Sequence, residues 1–91
     1  MTTAHMISAA AVPIADALAA IGRLSVNVPS ADVMISYTNH GCIVRVADRR
    51  AEHRGAVEAE FRDAFVAAGW GVAHRHAGGL SMQNPSQMTR L

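Results

Sequence analysis

One cysteine, no lysine and almost no net charge set the first limits on this chain. Cys42 has no second cysteine with which to close an internal disulfide, and a zinc site built on paired cysteines is excluded. Nothing therefore points to an oxidising compartment, and the expected location is the cytoplasm. The eight basic side chains are all arginine and stand against seven acids, for a net charge of +1. Such a balance exerts no global pull toward nucleic acid or a membrane surface. The missing lysines, with heavy use of alanine, read as the codon usage of a GC-rich genome, actinobacterial or that of a phage, and say nothing of mechanism. Catalytic signatures are missing too: there is no HExxH, no paired carboxylates, no Gly-rich phosphate loop and no Gly-x-Ser-x-Gly elbow. The expectation is a protein that is not an enzyme and holds no cofactor. The N-terminus is apolar but lacks basic residues at its start and is interrupted by Pro13 and Asp16, so neither a signal peptide nor a membrane span is expected.

What is present is enough apolar material to fold. Hydrophobic residues make up 51% of the 91 and charged ones 16%, which places the chain among ordinary globules. At this length it forms one domain with a modest core that dimerisation would supplement. No internal repeat and no linker divides it.

Residues 33–46 carry the cleanest pattern. Val33, Ile35 and Tyr37 alternate with Met34, Ser36 and Thr38, and Val44 and Val46 alternate with Arg45 and Ala47, as a β-hairpin requires. Asn39, His40, Gly41 and Cys42 are read as the turn, with Gly41 supplying a positive φ. The expected register sets Tyr37 opposite Val44, Ile35 opposite Val46 and Ser36 opposite Arg45. It collects Val33, Ile35, Tyr37, Val44 and Val46 on an inner face, and leaves Met34, Ser36, Thr38, Ile43 and Arg45 outside.

Around the hairpin the spacing turns helical. A first helix is expected from Pro13 to Gly22 on Ile14, Ala17, Leu18 and Ile21, because an earlier start would put Pro13 inside the helix at a cost of roughly 3 kcal/mol. Residues 24–28 alternate and read as an edge strand at most. A second helix is expected from an N-cap at Asp48 to Ala68, firm only from Ala56, with Val57, Phe61, Ala64, Phe65 and Ala68 as its apolar stripe, a Glu58–Arg62 pair on another face and Gly69 as its stop. Residues 70–76 read as a last strand, and residues 78–91 as a flexible tail.

The fold class expected is α+β: a two-layer sandwich with a mostly antiparallel sheet and two helices on one face, in the order α-(β)-β-β-α-β over residues 1–77. A short strand before the first helix would make this a split β-α-β arrangement that resembles the ferredoxin-like fold. Were residues 24–28 to pair with the hairpin instead, the order would resemble that of a double-stranded RNA-binding domain. That second resemblance is one of order alone, since the basic phosphate contacts of such domains are matched only by Arg49, Arg50 and Arg54.

Three groups of residues invite a chemical reading. His74 and His76 sit two apart on the last strand and could share a metal with a third ligand from His5, His40, His53, Cys42 or a carboxylate, but no ligand spacing supports it, and strand-end histidines at the solvent boundary are the plainer expectation. Cys42 near His40 suggests a thiol and its base, yet two turn residues at that spacing rarely adopt the geometry, and no third group orients them. Arg45, Arg49, Arg50 and Arg54 form a candidate anion-binding group, because arginine forks suit phosphate and carboxylate; Asp48, Glu52 and Glu58 interleave with them as a solvated ion-pair network would. The outer hairpin face, Met34, Ser36, Thr38, Ile43 and Arg45, is less polar than a solvated face requires. The sequence thus reads as a small regulatory or inhibitory protein that binds an unidentified protein partner, dimerises through a sheet edge or face and has no membrane role. A nucleic-acid-binding regulator using the four arginines is the alternative.

Overall fold

The computed structural model describes residues 3–24, 28, 32–47 and 52–85. Its elements are helix α1 (Thr3–Gly22), strands β1 (Val33–Tyr37) and β2 (Gly41–Val46), helix α2 (Arg54–Ala67), and strands β3 (Gly71–His74) and β4 (Leu80–Gln83). The four strands form one antiparallel sheet in the order β1-β2-β4-β3. The helices pack on each other and on one side of this sheet. The fold is the α+β sandwich that the pattern predicts. Met6, Ala10, Ala17 and Ile21 from α1, Val57, Phe61 and Phe65 from α2, and Cys42, Val44, Val46, Leu80 and Met82 from the sheet close one core, with Trp70 at its end.

The hairpin forms in a different register from the one expected. Ile35 faces Val44 rather than Val46, and Tyr37 faces Cys42 rather than Val44. Because the displacement is by two residues, each side chain keeps its expected face. The cause is a shorter connection, residues 38–40. The Thr38 N–H donates to the Gly41 carbonyl at 2.9 Å, and Thr38 Oγ1 accepts from the Gly41 and His40 N–H groups at 3.0 and 3.3 Å. Gly41 has no positive φ. It is glycine because a Cβ there would overlap the Met82 carbonyl oxygen on β4. Cys42 consequently lies in the strand and in the core, not in a turn.

Helix α1 starts ten residues before Pro13 and runs through it, against the expectation of a start at Pro13. Pro13 removes one helical hydrogen bond, a loss of roughly 3 kcal/mol. The added turns offset that loss by burying Met6 and Ala10 completely, the methionine alone contributing about 2 kcal/mol, and by adding their own helical hydrogen bonds.

The second helix is shorter than expected, beginning at Arg54 after a tight turn at residues 52–53; Asp48 lies outside the described residues. Its end follows the sequence closely. Gly69 has φ +89°, its N–H bonds the Val66 carbonyl at 3.0 Å, and the Trp70 N–H bonds the Phe65 carbonyl at 2.9 Å, a Schellman motif. Trp70 and Phe65 meet edge to face at 4.9 Å between ring centroids. Arg62 pairs with Asp63 at 3.2 Å, and Glu58 turns instead toward β3. The strand considered at residues 24–28 falls largely outside the described residues, though Leu24 and Val28 pack against the core.

The largest correction is at the C-terminal end. Residues 80–83, expected within a flexible tail, form β4, which lies between β2 and β3 and buries Leu80 and Met82. Both β1 and β4 are antiparallel to β2, so they run parallel to each other with β2 between them. This is the split arrangement that a strand before α1 would have produced, filled from the other end of the chain. Moved ahead of α1, β4 converts α-β-β-α-β-β into the β-α-β-β-α-β order of the ferredoxin-like fold.

Candidate functional site

Among the described residues, strand β1 is an open edge of the sheet. The Thr38 N–H donates to Gly41 on one side of it and the Asp32 carbonyl accepts from Ala47 on the other, so the backbone groups of residues 32, 34, 36 and 38 turn toward β2. Backbone groups alternate in direction along an antiparallel strand, and those of Val33, Ile35 and Tyr37 therefore face away from the sheet. The edge has no proline and no charged side chain, the usual devices that discourage pairing with another chain.

The sheet face opposite the helices gathers most of the residues expected there. Met34 lies across from Arg45 and Ser36 across from Ile43, and the row continues through Ser81 to Ala73. Met34 is 44% exposed and Ile43 is half-buried. Thr38 lies beyond the end of β1 with its hydroxyl engaged in the loop, so it belongs to the turn rather than to this face.

The arginine group is brought together in part. Arg45 from β2 and Arg54 from the first turn of α2 line a cavity of about 90 Å³ with Val46, Ala77, Gly78 and Gly79; Arg49 and Arg50 lie outside the described residues. The glycines belong to the β3–β4 loop and have φ +100° and +86°. Arg75 holds this loop: its Nη1 donates to the Gly78 carbonyl and its N–H to the Gly79 carbonyl, each at 3.0 Å. A Cβ on Gly79 would come within 2.8 Å of Arg45 Cγ, so the arginine stem lies directly on the glycine. Gly78 and Gly79 were invisible as site residues in the sequence because they opened what read as a tail.

The two histidines are separated. His74 ends β3 on the helix-facing side, with Nδ1 4.0 Å from Glu58 Oε1, whereas His76 lies in the loop beyond. Glu58 Oε2 is buried without a hydrogen-bond partner among the described residues. No group of three or more His, Cys, Asp or Glu side chains suited to a metal occurs among the described residues. Cys42 and His40 do not form a pair either: His40 is exposed in the loop, while burial pushes the Cys42 thiol up to about 11 and keeps it protonated near neutral pH.

Helix α1 has a second, outward surface. Ile7 is 45% and Val12 68% exposed, and the helix is long and apolar enough, by length and composition, to cross a membrane; in the structure its buried positions pack against α2 and the sheet. The chain matches no protein-family model, no curated protein and no solved structure.

Proposed function

We propose that this chain is a small, non-enzymatic accessory module of the cytoplasm that acts by protein contact, in a regulatory or inhibitory role, and assembles as a homodimer through strand β1. The supporting observation is the uncharged open edge at Val33–Tyr37, with its outward backbone groups at Val33, Ile35 and Tyr37. A second copy suits this edge. Antiparallel pairing of two β1 strands about a twofold axis makes an isologous contact and sets no like charges opposite each other. It also joins two outer faces carrying Met34, Ser36, Ile43 and Arg45 into one continuous surface for a further partner. In sedimentation at high protein concentration the wild type is expected to run as a dimer. The Met34→Lys/Ser36→Lys double variant, which puts cations along the edge without touching the core, is expected to run as a monomer. A wild type that stays monomeric removes the reading.

A second reading, a nucleic-acid-binding regulator, draws support from the meeting of Arg45 and Arg54 at one corner of the molecule. Its mark is retardation of mixed nucleic acid that weakens steeply with salt. No retardation at low salt ends it.

A further inference from the structure

We propose that two copies of this chain meet in two layers: β1 pairs with the second copy's β1 with Ile35 on the twofold axis, and above that pair the flank of α1 carrying Ile7, Ala11, Ile14 and Leu18 packs against the same flank of the second copy. The inference rests on the β1 dimer and supplies its register and its second layer.

The register follows from which backbone groups are open. Along β1, Val33, Ile35 and Tyr37 turn their N–H and C=O groups away from β2. With Ile35 facing its own copy, Val33 faces Tyr37, and each of these residues donates and accepts across the new pair. An axis at Met34 would leave Tyr37 without a partner in β1, and one at Ser36 would leave Val33 without one. Centring on Ile35 also brings the half-buried side chains of Val33, Ile35 and Tyr37 together beside the core and sets Met34 across from Ser36 on the outer face.

This strand pair is too small to hold the dimer alone. Five residues of strand offer a strip about 17 Å long and about 10 Å deep, far short of the roughly 800 Å² per partner of a standard interface. Helix α1 is placed to supply the rest, since it packs on β1 and β2 whereas α2 packs on β2, β4 and β3. At 3.6 residues per turn, the buried side of α1 through Met6, Ala10, Ala17 and Ile21 is bordered by two unlike stripes. One carries Ala9, Pro13 and Ala20, compact side chains that let another helix approach closely; the other carries Ile7, Ala11, Ile14 and Leu18. A right-handed β2-α2-β3 crossover turns the first stripe toward α2 and the second beyond β1. The second stripe has the alternating spacing of a coiled-coil seam, Ile7 on it is 45% exposed, Ala11 is exposed, and Asp16 lies on the opposite side of the helix. A twofold axis through Ile35, normal to the sheet, brings the two stripes together antiparallel with no charge between them.

The test measures the dimer dissociation constant of the full chain by sedimentation equilibrium, with two variants at exposed positions of α1. Ala11→Glu sets like charges across the seam and is expected to weaken the dimer about tenfold or more. Val12→Glu, at a position 68% exposed and off the stripe, is expected to leave it unchanged. The register is read from disulfide formation. Met34→Cys and Ser36→Cys chains meet where Cα atoms of facing residues lie about 4.5 Å apart, and are expected to link much faster when mixed than either does alone. Equal effects of Ala11→Glu and Val12→Glu in a dimer that still links 34 to 36 overturn the α1 layer and leave the β1 dimer standing. Failure of the mixture to link overturns the register. A monomeric wild type removes the β1 dimer itself and this inference with it. Binding to phosphatidylcholine vesicles that Ala11→Glu abolishes, with the dissociation constant unchanged, would overturn the α1 layer in favour of a lipid surface.

Discussion

Cys42 shows what a change of register does at the scale of one residue. Read as part of the turn it sits beside His40 as a reactive thiol; with Tyr37 paired to it, it is a fully buried member of the core. Its pKa rises from about 9 to about 11 by desolvation. The sign of the consequence follows from proton binding. Below about pH 9 the thiol is protonated in both folded and unfolded chains and contributes no pH dependence. Between about 9 and 11 the unfolded chain releases its proton while the folded one retains it, so stability falls as pH rises. Urea denaturation across that window is expected to give a steeper loss of stability for the wild type than for Cys42→Ala; parallel curves would show that the buried thiol is not the group responsible. Alternation along 33–46 was enough to sort the hairpin residues by face, but it could not choose between registers two apart, since both preserve the faces. That choice was made by Thr38, whose hydroxyl closes the shorter loop, and by the contact of Gly41 with Met82, a residue of a strand that the local pattern did not reveal.

At the scale of elements, legibility followed the strength of local signals. The end of α2 could be read from Gly69 and the aromatic that follows it, because a Schellman motif is specified within six residues and needs nothing from the rest of the fold. The start of α1 could not be read. Proline is a strong local veto, and the burial that overrides it, Met6 and Ala10 against α2, the sheet and Asn84, is tertiary. Strand β4 failed for the same reason. Leu80 and Met82 give only two periods of alternation between Gly78-Gly79 and Asn84-Pro85, a composition that reads as loop, and their value emerges only when β2 and β3 pair on both sides. The cavity was half legible: Arg45 and Arg54 could be grouped from their charge, but its glycine wall required β4 to exist.

For the whole molecule, the cyclic relation to the split β-α-β order has a physical counterpart. The end of β4 and the start of α1 are adjacent, with Asn84 Nδ2 3.8 Å from Met6 Sδ across 78 residues of sequence. Joining the end of β4 to the start of α1 through a short linker and reopening the chain between His76 and Ala77 places β4 first, and such permutations are tolerated where the joined points lie close and the cut falls in an exposed loop. The permutant is expected to keep the circular dichroism of the parent and the buried emission of Trp70; an exposed tryptophan and a non-cooperative melt would contradict the account of β4 as an integral central strand. The same whole-molecule view leaves β1 as an edge of the sheet among the described residues, the basis of the proposed dimer. Amide hydrogen exchange as a function of protein concentration tests it most directly. The N–H groups of Met34 and Ser36 face β2 and are expected to be protected at every concentration, whereas those of Val33, Ile35 and Tyr37 are expected to exchange freely in dilute protein and slow as concentration rises. Rapid exchange at Val33, Ile35 and Tyr37 that does not change with concentration would contradict pairing through this edge.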